Sequence, residues 1–269
     1  ESIRDLVTSR GVEVPVSVVP TGINLKTFAS GDGIAFRNAH GIPAGAPVLG
    51  HIGRIEREKN VEFLAKAVGL ALQRDPTCWF LLAGEGECKE VVRRILAAAG
   101  VVGRTLLLGR LKGPDFAGAY KAMDVFLFCS KSETQGMVLA EAMAAGRPVI
   151  ALDAPGAREI VCHEKNGYLL QEGASIETYA DAIARWRKLP DRVRREWESE
   201  IARTAEAFSL DHCMSKLERV YEELLHGHSI ETNLSPWEQL MGRFEAEWEL
   251  ALEKAKAATV ALTNQSKGE

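Results

Sequence analysis

Residues 132–146 read SETQGMVLAEAMAAG. Nine residues lie between Gly136 and Gly146, all apolar except Glu141, and a second glutamate, Glu133, stands eight positions before it. Burying an unpaired carboxylate is costly, so Glu141 must be partnered, protonated or turned towards a cavity. A helix beginning just after Gly136 has its first free amides near Met137 and Val138, and a helix N-terminus favours phosphate. A carboxylate one turn further in can accept hydrogen bonds from vicinal hydroxyls, such as those of a ribose. Phosphate at the helix mouth and ribose beside it together describe a nucleotide. The competing reading is an internal ion pair between Glu141 and a neighbouring Arg or Lys, and these residues alone leave both open.

A second segment, GHIGRIEREKN (50–60), follows an apolar run and carries Arg54 and Lys59. Two cations match the charge of a diphosphate, with Arg suited to bidentate oxyanion contacts and Lys acting as a point charge. Glu56, Arg57 and Glu58 lie beside them, so a solvated loop of mixed charge is the alternative. Several other chemistries lack their signatures. GEGECK (84–89) has two glycines of the dinucleotide fingerprint but not the third, and there is no P-loop. No GxSxG elbow occurs, and the six histidines form no ligand pair. No Asp-x-Asp pair is present, which weighs against a metal-held diphosphate; neither metal nor organic cofactor is expected.

The elements that position these residues follow from apolar patterning. Candidate strands are PVLGHIG (47–53), WFLLA (79–83), TLLLG (105–109), VFLFC (125–129), PVIAL (148–152) and YLL (168–170), separated by helical patterns. The runs are continuously apolar, as in strands covered on both faces. Strand and helix in alternation predict an α/β fold, a Rossmann-like parallel sheet of about six strands flanked by helices. Ligands bind beyond the carboxyl ends of such strands. From residue 175 onward the pattern is helical, over 175–189, 191–208 and 210–226. After HGHSIETNLSP a last helix is expected from about Trp237, with an apolar stripe through Leu240, Phe244, Trp248 and Leu252.

Composition excludes some classes. The chain has 269 residues, a net charge of −4 and 46% apolar residues, which fits a globular protein and gives no footprint for nucleic acid. Five cysteines stand singly, as reduced thiols in a cytoplasmic protein do. No run is long enough to span a membrane. RWRKLPDRVRR (185–195) holds six basic residues, so peripheral contact with the anionic inner membrane is one reading and a solvated helix face the other. The opening ESIRDLVTSRGVEVPVSVVPTGIN looks like mid-domain sequence, and the chain is expected to be a fragment.

Together these segments resemble the retaining glycosyltransferases of family 4, whose two Rossmann-like domains face a cleft in the GT-B fold. Glu133 and Glu141 match the E-x7-E motif, GRIEREKN the Gly-Arg-x4-Lys loop, and VVPTGINLKTF (18–28) the entry into the C-terminal domain. AGEGE, LLLGRL, YKAMDVFLFCS and GRPVIALDAPGAREIV keep the family's order, and the resemblance covers about residues 15–225. It implies that Arg54 and Lys59 hold the diphosphate of a nucleotide sugar and Glu141 the ribose. Glu133 would meet the transferred sugar, the backbone of Gly136, Met137 and Val138 would complete the site, and the base would lie near Arg110 and Leu111. On this basis residues 1–20 are the remnant of an N-terminal domain, 21–208 the nucleotide-sugar domain, and 209–269 helices that cross back.

The resemblance also implies a metal-free reaction that retains configuration at the sugar. The missing partner is the N-terminal acceptor domain, so the chain is expected to bind donor without efficient transfer. Three rivals remain: a non-catalytic nucleotide-sugar binding module, a nucleotide-sugar epimerase on the same fold, and a scaffold whose glutamates are internally paired.

Overall fold

The computed structural model describes residues 2–227. The chain divides into two compact units, Glu1–Arg219 and Val220–Glu269, and the first contains the whole sheet. Three short helices open the chain, α1 (Ser2–Ser9), α2 (Leu25–Ala29) and α3 (Gly33–Ala39). The alternating part follows: β1 (Val48–Ile52), α4 (Val61–Arg74), β2 (Trp79–Ala83), α5 (Lys89–Ala98), β3 (Thr105–Leu108) and α6 (Gly113–Ala122). It continues through β4 (Val125–Phe128), α7 (Met137–Ala144), β5 (Val149–Leu152), α8 (Pro155–Arg158) and β6 (Gly167–Leu170). Helices α9 (Ile176–Arg187), α10 (Asp191–Ala207) and α11 (Leu210–Gly227) close the described chain.

All six strands are parallel, in the order β3-β2-β1-β4-β5-β6. The order reverses between β1 and β4, which makes the crevice above that pair the place where ligands bind in such sheets. The six expected strands are all present. Two begin one residue late, because Pro47 and Pro148 have no N–H to give a ladder; their carbonyls still accept from Trp79 N at 2.8 Å and Phe126 N at 2.9 Å. Every residue of β1, β4 and β5 is buried, while edge strand β3 is half-buried although it is equally apolar.

The small helices α2 and α3 were not evident from periodicity, being too short to show one. Side chains cap both: Asn24 Oδ1 accepts from Lys26 N at 3.0 Å, and Asp32 Oδ1 from Ala35 N at 2.8 Å. Arg37 of α3 then joins this region to the sheet, donating to Ala122 O, Ala46 O and Asp124 Oδ2. Ile23 is bound from both sides of Ser209, its N–H donating to Phe208 O at 2.9 Å and its carbonyl accepting from Leu210 N at 2.8 Å. Residues 18–28 are thereby fixed against the junction of α10 and α11.

The basic stretch 185–195 has structural tasks. Arg185 lies 4.6 Å from the Tyr168 ring centroid, and Arg187 pairs with Asp75 at 3.3 Å. Arg194 donates to the carbonyls of Trp186, Arg187 and Leu189, closing the C-terminus of α9. Lys188, Arg192 and Arg195 are the exposed remainder. Among the described residues no helix is long and apolar enough to cross a membrane. The expected helix from Trp237 lies outside the described residues.

Candidate functional site

The loop after β1 and the loop after β2 are built against each other. Gly53 N donates to Ala83 O at 3.0 Å, Ile55 N to Glu85 O at 2.9 Å, and Cys88 N to Ile55 O at 3.0 Å. A Cβ on Gly84 would collide with Gly53 O, and one on Gly86 with Ile55 O. The two glycines of GEGECK therefore serve loop–loop packing at the mouth of the sheet. This packing carries the backbone of Arg54 to the rim of the site.

Lys59 and Glu133 meet across that mouth, Nζ to Oε2 at 3.0 Å, with side chains 16% and 19% exposed. Lys59 sits at the end of a single 3-10 turn, Arg57–Lys59, and Asn60 leads from it into α4. Glu133 is held through its backbone as well, its carbonyl accepting from Gly156 N at 3.2 Å. Gly136 caps α7 with φ +68, and a Cβ there would stand 2.7 Å from Gly156 O. Only glycine satisfies both the left-handed backbone and that close approach. The amides of Leu139 and Ala140 are returned to Gly136 O, while those of Gly136, Met137 and Val138 have no partner among the described residues. Unpaired amides at a helix start are the kind of group that favours an anion.

Glu141, one turn into α7, is half-buried, and its partner in the protein is neither Arg nor Lys. Tyr120 of α6 donates its hydroxyl to Glu141 Oε2 at 2.7 Å. This corrects the expectation that a ligand alone would satisfy Glu141, and equally the expectation of an internal ion pair. Burial pushes the Glu141 carboxyl above its ordinary range, and the Tyr120 hydrogen bond opposes that rise. Tyr120 is fully buried and its own pKa is driven well up by burial and by Glu141, so it remains a donor.

His51 lies under the same mouth. Strands β1 and β4 pair only at Leu49↔Val125 and Gly50↔Phe126; beyond these, His51 Nδ1 donates to Leu127 O at 2.8 Å. A carbonyl only accepts, so Nδ1 carries the proton and Nε2 presents a lone pair. That Nε2 is buried without a hydrogen-bond partner. Burial, reinforced by the Lys59 charge and opposed by the bond to Leu127, pushes the His51 pKa down to about 4.

Of the residues singled out in the sequence, Lys59 and Glu133 meet from the loops that follow β1 and β4, and Gly136, Met137, Val138 and Glu141 follow Glu133 into the start of α7. Arg54 is on that rim but turned outward, 64% exposed and paired with Glu58. Arg110 is exposed and Leu111 half-buried, both just after β3. Tyr120 and His51 received no role from the sequence. Tyr120 offered one signal, as the lone hydroxyl in the stretch FAGAYKAM, and His51 offered another, as a histidine inside the strand PVLGHIG that was read as covered on both faces. Among the described residues no group of three or more His, Cys, Asp or Glu side chains is placed to hold a metal ion.

Fold and site define a Rossmann-like domain with Lys59, Glu133 and a helix start of partnerless amides at the sheet's switch point. The model of the Glycosyl transferases group 1 family matches residues 33–204, and the chain belongs to that family. It is 34% identical over 194 residues to a D-inositol 3-phosphate glycosyltransferase of Kribbella flavida, covering 68% of this chain and 46% of the relative. A GDP-mannose-dependent alpha-mannosyltransferase of Mycolicibacterium smegmatis is 38% identical over 128 residues, 48% of this chain and 31% of the relative. The chain spans about half the length, or less, of the curated relatives it matches. Among solved structures, HepE of Anabaena, in complex with UDP and glucose, superposes with a TM-score of 0.70 at 22% identity, over 83% of this chain and 60% of that one. The C-terminal domain of a group 1 glycosyl transferase from Francisella tularensis (LpcC) superposes with a TM-score of 0.61 at 22% identity, over 69% of this chain and 97% of that domain. The sheet and its helices are thus the fold of GT-B glycosyltransferases, and the chain fits their C-terminal half.

Proposed function

We propose that this chain binds a nucleoside-diphosphate sugar as the donor-binding half of a retaining glycosyltransferase. The observation that carries the reading is the convergence of Lys59, Glu133 and the three partnerless amides of Gly136, Met137 and Val138 at the sheet's switch point. Lys59 and those amides hold the diphosphate, and Arg54 joins them by leaving Glu58, an exposed partner that costs little to release. Glu141 takes the ribose hydroxyls, Glu133 the hydroxyls of the transferred sugar, and the base rests by Arg110 and Leu111. The relatives' names, one a GDP-mannose-dependent mannosyltransferase, support a nucleotide-sugar donor.

As the bond to the sugar breaks, negative charge grows on the leaving diphosphate. The helix start opposes that charge from a fixed position, which is electrostatic preorganisation, and Lys59 and Arg54 add their charges once turned from Glu133 and Glu58. With two cations and three amides available and no Asp-x-Asp in the sequence, the reading assigns this task to the protein and not to a metal. The acceptor is held by a separate N-terminal domain, so the chain alone binds donor with little transfer.

Calorimetric titration with UDP, GDP and ADP, repeated on Glu141→Ala, tests the reading. Saturable binding of one nucleotide, weakened by the substitution, is expected. No binding of any of the three to the unsubstituted chain overturns it.

A further inference from the structure

Glu141 has two oxygens, and the protein uses one. Oε2 receives the Tyr120 hydroxyl at 2.7 Å, and no other hydrogen bond to this side chain occurs among the described residues. A phenol suits this position for a physical reason. An Arg or Lys would neutralise the carboxylate and compete with any hydroxyl brought to it, whereas a neutral donor orients the group and leaves its charge in place. The hydroxyl is itself fixed. Phe28 and Phe116 pack edge-on against the Tyr120 ring at centroid distances of 5.4 and 5.3 Å, and Phe126 stacks on it at 5.7 Å. Phe28 belongs to α2, whose approach is anchored through Ile23 to the α10–α11 junction. The orientation of Glu141 is thus determined by three elements outside its own helix.

We propose that Tyr120 is a positioning residue that fixes which oxygen of Glu141 faces the donor's ribose, and so sets the preference for ribonucleotides over 2′-deoxyribonucleotides. The inference rests on the nucleotide-sugar reading above and adds to it the source of sugar discrimination in the nucleotide. Tyr120 touches no substrate. It removes the carboxylate's freedom to turn, so that Oε1 is presented to the ribose hydroxyls in one geometry. Without the phenol the carboxylate rotates between the ribose and the aromatic cluster, and the contact that distinguishes a 2′-hydroxyl from a hydrogen is lost first.

The test is titration of the full chain and of Tyr120→Phe with UDP, GDP and ADP and with the 2′-deoxy form of each. For the nucleotide that binds, the unsubstituted chain is expected to prefer the ribose form on the order of tenfold, as for a hydrogen bond to a charged group. Tyr120→Phe is expected to lose most of that preference by weakening the ribose form alone. Equal weakening of both forms, or no change in either, overturns the proposal and leaves Tyr120 a packing residue. Binding by the unsubstituted chain without ribose preference overturns it too. No nucleotide binding at all by the unsubstituted chain is a different result, since the donor-site reading then fails and takes this inference with it. Should Tyr120→Phe lack a cooperative unfolding transition, Phe116→Leu replaces it. That change keeps the hydroxyl and loosens its ring, and an undiminished ribose preference in it overturns the proposal.

Discussion

Lys59 Nζ lies 3.0 Å from Glu133 Oε2, so the loop after β1 is closed onto the loop before α7 by an ion pair less than one-fifth exposed on either side. Each residue is at once the other's partner and a proposed ligand for the donor. Donor binding in that scheme is an exchange, in which Lys59 turns to the diphosphate and Glu133 to the sugar. Glu133→Gln should therefore hold or raise the affinity for a nucleoside diphosphate lacking the sugar. Lys59→Met should lower it on the order of tenfold or more, since a point charge on the diphosphate is lost. Calorimetry on both variants checks this, and a fall in diphosphate affinity for Glu133→Gln would contradict the exchange. On stability, a double-mutant cycle by urea unfolding should return a coupling of about 1 kcal/mol, typical of residues in direct contact.

The stability of the fold should fall in mild acid because of His51. Its pKa is about 4 in the folded chain against an ordinary 6.5, so between these values the unfolded chain takes up a proton that the native one refuses. The contribution is intact above pH 6.5, is lost progressively as pH falls towards 4, and levels off below that. Its full size is about 3 kcal/mol, from 1.36 kcal/mol per unit of pKa difference. Urea unfolding of the chain and of His51→Gln between pH 7 and 4 measures it. The glutamine retains an amide to donate to Leu127 O and cannot titrate, so its curve should be flatter by about that amount.

Much of this arrangement was legible in the sequence, and what was not has a physical reason. The strands were readable because runs such as VFLFC and PVIAL are apolar at every position, which only a two-sided burial explains. Lys59, Glu133 and Gly136 were readable because charge and backbone freedom stand out against such runs. The contact between Lys59 and Glu133 was not, since 74 positions separate them and only the parallel pairing of β1 with β4 brings their loops together. Tyr120 was hidden for another reason. A tyrosine in an apolar helix reads as core, and its ring is indeed core; only the hydroxyl reaches the site. Arg54 shows the reverse limit, as its type and position suit an anion ligand while the sequence does not show that its side chain is turned to Glu58 and solvent.

Gly136→Ala should be among the most damaging small changes to the site. It places a side chain at φ +68 and sets its Cβ 2.7 Å from Gly156 O. The cost is a left-handed alanine together with a backbone displacement at α8, in all about 2 kcal/mol or more. The displacement acts where Glu133 O accepts from Gly156 N, so the loop carrying Glu133 moves with it. The expected result is a lowered urea midpoint together with loss of nucleotide binding. Gly146→Ala is the control: it also has positive φ, at +78, but nothing lies within 4 Å of an added Cβ. It should lose stability from backbone strain alone and keep its binding.

The basic stretch 185–195 gives the last prediction, because its residues divide by task. Arg194 donates to three carbonyls at the end of α9; Trp186 O also accepts from Leu189 N, so Arg194→Ala takes the donor from the carbonyls of Arg187 and Leu189. It should cost about 1–2 kcal/mol in urea unfolding. Arg192 is 81% exposed and pairs at 3.7 Å with Glu196 one turn on, an arrangement of little consequence in water, so Arg192→Ala should be close to neutral. A patch selected for anionic lipid would show the reverse economy, with its cations free and its structural residues few. Only Lys188, Arg192 and Arg195 remain for such a role, and Asp191 and Glu196 lie among them. Sedimentation with vesicles containing phosphatidylserine should accordingly show no binding that depends on these three residues. If replacing all three by glutamate released the chain from such vesicles, the patch would be a lipid contact after all, and the structural account of Arg194 would stand beside it unchanged.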